Sequence, residues 1–153
     1  MARLEAGQPA PDFTLTSDSG EEISLTSLKG APVVIYFYPK AMTSGCTVQA
    51  CDYRDRLTDF GAQGAHVLAV SPDPVSRLAK FRDKEGLTFP LLSDESHAVS
   101  EAYGVWVEKS MYGKTYMGVE RSTFVVDAAG TIIHADYKVK SSGDAARVLA
   151  LLK

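Results

Sequence analysis

Cysteine is scarce in this chain: Cys46 and Cys51 are the only two in 153 residues. They do not form a Cys-x-x-Cys pair, which removes the zinc sites and dithiol oxidoreductases built on that spacing. The three histidines, His66, His97 and His134, are scattered without ligand spacing. Each reads as a surface or strand residue, so no metal is expected. No Ser-His-Asp signature, phosphate loop or dinucleotide fingerprint occurs, and no cofactor is expected either. No apolar run approaches the ~20 residues of a membrane span. The opening MARLEAGQPAPDFTL also lacks a signal-peptide core. Positive charge is not in excess: 16 Lys and Arg against 19 Asp and Glu leave a formal net charge of −3. That excludes a basic footprint for nucleic acid or for anionic lipid. A cytoplasmic location is expected, where a close cysteine pair is more often catalytic or metal-binding than a structural staple.

The chain does contain a strong alternation of strand and helix patterns. With no internal repeat or long linker, one domain over residues 1–153 is the economical reading. DFTLTSDSGEEISL alternates apolar and polar residues around a turn, predicting an N-terminal β-hairpin. APVVIYFYP is a continuous apolar run that stops at Pro39, the pattern of a central strand buried on both faces. CTVQACDYRDRLTDFGAQG has helical spacing through Val48, Cys51, Leu57 and Phe60. AHVLAVSPD predicts a second buried strand. PVSRLAKFRDKEG predicts an amphipathic helix with Val75, Leu78, Ala79 and Phe81 inward and Gly86 as terminator. FPLLSD and SHAVSEAYG predict a short strand and a short helix, and RSTFVVDAAGTIIHADYK a hairpin turning at Asp127 to Gly130. SGDAARVLALLK predicts a terminal helix with Ser142 or Asp144 at its N-cap. Strands alternating with helices, then a late hairpin, predict an α/β fold with a mixed sheet. The Cys46 segment follows the central strand directly, where open sheets place their sites.

A thiol reacts as its thiolate. Cys46 falls in the first turn of the predicted helix, where unsatisfied N–H groups and the helix dipole favour an anion. Thr43, Ser44 and Thr47 surround it with hydroxyls, Gly45 lets backbone approach closely, and Pro39 stiffens the loop. On one regular helix, a five-residue separation gives ~7.5 Å of rise and ~140° of rotation, so the two Cα atoms sit ~8–9 Å apart. A disulfide tolerates only about 7 Å. The pair therefore cannot be a static staple of that helix, and a bond between them requires the first turns to unravel.

YFYPKAMTSGCT resembles the P-x-x-x-T-x-x-C motif of peroxiredoxins, with Pro39, Thr43 and Cys46 at its fixed positions. CTVQAC is similar to the bacterioferritin comigratory protein or peroxiredoxin Q subgroup, in which a second cysteine often follows five residues later. APDFTL, VVIYFYPK, SPD, FPLLSD, YGVW, EKSMYGKTYMG, RSTFVVD and AAG extend the likeness over nearly the whole chain. The resemblance implies a thioredoxin-like fold and a peroxidase acting on hydrogen peroxide and organic hydroperoxides without a cofactor. It implies Cys46 as the peroxidatic nucleophile and Cys51 as the resolving thiol that closes an intramolecular disulfide. It also implies that Thr43 binds the peroxide, Pro39 shields the site, and Arg121 stabilises thiolate and developing charge. By residue type alone, Arg121 would be a solvated charge at a strand start. Thioredoxin or a similar dithiol is the implied reductant, and a monomer the implied state. Many relatives carry Pro where Ser44 stands, which predicts a slightly freer loop here. Two other readings stay open. One is a redox sensor or chaperone using the same disulfide switch, the other a metal-binding module built on the cysteine pair and a histidine.

Overall fold

In a computed structural model, which describes residues 3–153, the apolar run VVIYF is a strand with every side chain buried. Chain order begins with the hairpin β1 (Thr14–Ser17) and β2 (Glu22–Ser24), then a single 3-10 turn at Thr26–Leu28 and the buried strand β3 (Val33–Phe37). Next come α1 (Ser44–Asp55), α2 (Leu57–Ala62), β4 (His66–Ser71), α3 (Val75–Glu85), β5 (Leu91–Ser93) and α4 (Ala98–Ala102). The chain finishes with β6 (Trp106–Met111), β7 (Lys114–Val119), β8 (Ser122–Val126), β9 (Ile132–Asp136) and α5 (Asp144–Leu152).

Seven strands form one mixed sheet in the order β2-β1-β5-β4-β3-β8-β9. β3 runs parallel to β4, and β4 to β5, while β8 and β9 return antiparallel. Successive side chains of β3 point to opposite faces. Val34 and Tyr36, with Tyr38 just beyond, pack under Ala50 and Tyr53 of α1, Phe60 of α2, Phe81 of α3 and Val148 of α5. Val33, Ile35 and Phe37 join the other core, with Phe13, Val99, Tyr103 and Phe124. This two-sided burial is why β3 reads as a continuous apolar run. Among the described residues, no helix is long and apolar enough to cross a membrane.

The N-terminal hairpin, both buried parallel strands, the late hairpin and Gly86 as terminator of α3 (φ +64°) all match the sequence reading. Four details differ. The expected single helix after Cys46 divides at Arg56, whose N–H bonds back to Tyr53 O at 3.2 Å. That three-residue bond tightens the turn, and α2 starts afresh. Val48 is 48 % exposed instead of inward. The buried face of α1 is Cys46, Gln49, Ala50 and Tyr53, and a buried polar Gln49 disguises that stripe in the sequence. The N-cap of α5 is Gly143, and Asp144 is turned into the core. Finally, β6 and β7 pair as a separate hairpin that was not foreseen from residue pattern. Most of its side chains are exposed or half-buried, so no apolar alternation marks it.

Candidate active site

The loop leaving β3 is held by groups that arrive from β4 and α3. Asp73 Oδ2 accepts hydrogen bonds from the Ala41 N–H at 2.8 Å and from Ser71 Oγ at 2.8 Å. Arg77 Nη2 donates to Ala41 O at 2.8 Å, and its Nε lies 3.2 Å from Asp73 Oδ1. The loop backbone is thus pinned at both the N–H and the C=O of one residue. Pro39 is half-buried within it, and Tyr38 is fully buried beneath. Met42 adopts φ +65°, a left-handed conformation that costs a non-glycine residue about 1–3 kcal/mol and persists only where its surroundings impose it.

Thr43 is the N-cap of α1, extended at φ −89°, ψ 158°. Its carbonyl accepts the Thr47 N–H at 2.9 Å, and its hydroxyl donates to Lys40 O at 2.8 Å. Cys46 follows in the first turn with its side chain buried. Arg121, between β7 and β8, donates from Nη2 to Cys46 Sγ at 3.4 Å and from Nη1 to Gln49 Oε1 at 2.6 Å. Its backbone is tied down by the Val139 N–H, 2.9 Å from Arg121 O. A Cβ on Gly45 would lie 3.2 Å from Arg121 Nη2, so only glycine lets the guanidinium pass over this turn without displacement.

Two electrostatic sources converge on the sulfur, and their sizes differ. A hydrogen bond to a charged group contributes about 1.5–3 kcal/mol, whereas a helix terminus contributes about 0.3–1 kcal/mol. Arg121 therefore dominates over the end of α1. Lys109 adds a second positive charge nearby; its ammonium is pushed below the usual lysine range by burial first and by the charge of Arg121 next.

Behind Arg121 stands a buried polar hub absent from the sequence reading. Asp144 Oδ2 accepts from Tyr53 Oη at 2.8 Å, Thr123 Oγ1 at 2.8 Å and Gln49 Nε2 at 3.2 Å, while Oδ1 takes Arg147 Nη2 at 2.7 Å. With its amide nitrogen committed to Asp144, Gln49 presents its oxygen to Arg121. A chain of contacts thus links α5 to the thiol. Gln49, Asp144, Asp73 and Arg77 were all missed. A polar residue three positions after Cys46, on its own helix face, was the signal for Gln49. The partners of the others are far apart in sequence.

Of the residues singled out from sequence, Cys46 and Arg121 are in contact, Thr43 caps the same helix and Pro39 lies in its loop. Cys51 is on α1 too, as a free thiol, and touches Glu85 of α3 instead of Cys46. Among the described residues, no group of three His, Cys, Asp or Glu side chains is placed to hold a metal ion.

The model of the AhpC/TSA family matches residues 6–135. Peroxiredoxin Bcp of Escherichia coli K12 is 49 % identical over 146 residues, covering 94 % of each chain. Peroxiredoxin Bcp of Bacillus subtilis is 46 % identical over 150 residues, covering 98 % of this chain and 96 % of its own. Among solved structures, the bacterioferritin comigratory protein of Xanthomonas campestris, described for its alkyl peroxide reduction activity, superposes with a TM-score of 0.91 at 40 % identity, covering 97 % of each chain. A cysteine-to-serine mutant of PrxQ from Xylella fastidiosa gives 0.94 at 32 % identity, covering 99 % of this chain and 97 % of its own. With this breadth of match and a thioredoxin-like mixed sheet whose central strand leads into the thiol-bearing helix, the chain belongs to the AhpC/TSA family and, within it, to the bacterioferritin comigratory protein/peroxiredoxin Q group of thiol-dependent peroxidases.

Proposed function

We propose that the chain, acting as one domain over residues 1–153, reduces hydrogen peroxide and organic hydroperoxides at Cys46, and that Cys51 completes the cycle. One observation carries the reading: a buried thiol in the first turn of α1 sits 3.4 Å from an arginine that is itself held by a buried network. The Cys46 thiolate attacks the distal peroxide oxygen, the O–O bond breaks, and the leaving oxygen takes a proton to depart as water or alcohol. Cys46 is left as a sulfenic acid. Arg121 stabilises the thiolate beforehand and the developing charge on the leaving oxygen afterwards. The Thr43 hydroxyl turns from Lys40 O to the bound peroxide, and Pro39 keeps water from the sulfur.

Cys51 then attacks the sulfenic sulfur, the S–O bond breaks, and hydroxide leaves with the thiol proton as water. The Cys46–Cys51 disulfide that results is reduced by a dithiol donor of thioredoxin type. The protein works as a cytoplasmic monomer in this reading. The decisive measurement is stopped-flow oxidation of the reduced protein by peroxide, followed by mass analysis without reductant. Fast oxidation and an internal Cys46–Cys51 crosslink are expected; oxidised protein without that crosslink would overturn the cycle. The unravelling of α1 that the bond demands also suits a redox sensor. Slow peroxide reduction together with oxidation-dependent partner binding would favour that alternative.

A further inference from the structure

The second thiol is not idle in the reduced protein. Cys51 Sγ donates to Glu85 Oε1 at 3.6 Å, linking α1 to the last residue of α3. Arg54, three residues further along α1, donates from Nη1 to the Glu85 carbonyl at 2.5 Å. Neighbouring positions on one helix face therefore grip both the side chain and the backbone of Glu85. The backbone contact has its own logic, because a helix leaves its last carbonyls without internal partners and Gly86 ends α3 here. We propose that Glu85 is a latch: it holds Cys51 docked on α3, and so limits how fast the Cys46 sulfenic acid is closed into the disulfide. The inference rests on the reading of Cys51 as the resolving thiol.

Closure requires residues 46–51 to leave the helix, since helical spacing keeps the two Cα atoms ~8–9 Å apart. That motion takes Cys51 off Glu85, so the contact is lost on the way to the bond. The docked thiol is also held neutral. Its proton affinity is pushed up by burial first and further by the carboxylates of Glu85 and Asp55, against the charge of Arg54. Both effects slow attack on the sulfenic sulfur. Meanwhile a second peroxide can oxidise that sulfur to the sulfinic acid, an irreversible loss for the enzyme alone. Glu85 thus sets the balance between recycling and overoxidation without touching the peroxide, as a positioning residue.

Glu85→Gln removes the charge and keeps the shape, and Glu85→Ala removes both; because Glu85 is half-buried, circular dichroism is used first to check that each variant folds. With Cys46→Ser also present, iodoacetamide labelling of Cys51 at neutral pH should speed up about threefold to tenfold, whatever Cys51 does in catalysis. With Cys46 intact, quenched-flow mass analysis should show sulfenic acid forming at the parental rate, the disulfide forming about threefold to tenfold faster, and less sulfinic acid at high peroxide. Unchanged labelling would show that no latch exists. Faster labelling with unchanged or slower closure would overturn the gating role. A parent protein that never forms the Cys46–Cys51 bond would overturn the resolving assignment and the gating role with it, while the labelling arm still reports whether Glu85 holds the thiol.

Discussion

At the scale of single residues, a buried thiolate is stabilised by a cation beside it, and Arg121 is held in that place. Its fork is shared between Cys46 Sγ and Gln49 Oε1, and its path crosses Gly45. Cys46→Ser is therefore expected to abolish peroxide turnover. Cys51→Ser should consume about one peroxide per chain and then stall in an assay with thioredoxin. Parental steady-state activity in Cys51→Ser would remove Cys51 from the cycle. Gly45→Ala tests the close approach. The added methyl, 3.2 Å from Arg121 Nη2, should shift the guanidinium by a few tenths of an ångström and lower kcat/KM for peroxide about threefold, with the helix content intact. An Ala variant as fast as the parent would show that Arg121 can yield at no cost to catalysis.

At the scale of elements, the proposed cycle asks α1 to be both well anchored and ready to open. Its N-terminus is anchored through the loop, by Asp73 and Arg77 from the segment after β4, and Ser44 is its first residue. Thr43 is already extended, as a residue before proline prefers, and proline at the first helical position suits the fixed φ of its ring. Ser44→Pro is thus expected to raise stability by about 0.5–1 kcal/mol in urea melts, chiefly by restricting the unfolded chain. A loss of stability would mean that the Ser44 N–H or the turn geometry is needed as it stands. The same element explains the limits of pattern reading. The face of α1 toward the core carries Gln49 among Cys46, Ala50 and Tyr53, so hydrophobic spacing alone assigned Val48 inward and missed the amide.

At the scale of the molecule, the thiol is supported from the far end of the chain. Asp144 opens α5, nearly a hundred residues from Gln49, and its side chain has no contact with solvent. Replacing it by alanine leaves Tyr53, Thr123 and Gln49 without their shared acceptor in a buried site. Asp144→Ala should cost about 3 kcal/mol, or roughly 6–12 °C in Tm, and should also slow peroxide reduction as Gln49 loses its orientation. A loss below about 1 kcal/mol would show that the hub relaxes around water or a new donor.

Much of this architecture is local and so was legible. Strand β3 announced itself by a run of β-branched and aromatic residues, the hairpins β1–β2 and β8–β9 by turn residues between apolar runs, and Cys46 by its place just after β3. The cysteine separation depends on nothing beyond helix geometry, and both cysteines do lie on α1. The partners of the thiol are another matter. By residue type Arg121 would be a solvated charge, and only the pairing of β8 against β3 brings it over Cys46. Asp144 could pass for an N-cap until the packing of α5 on α1 turned it inward to three donors. Glu85 became relevant to Cys51 only when α3 settled beside α1. Sequence by itself determined which segments form most of the elements and where the Cys46 thiol falls along them, because those follow from short-range geometry and intrinsic chemistry. Tertiary structure alone decided what surrounds that atom, because charge and hydrogen bonding act through space between residues that chain order keeps apart.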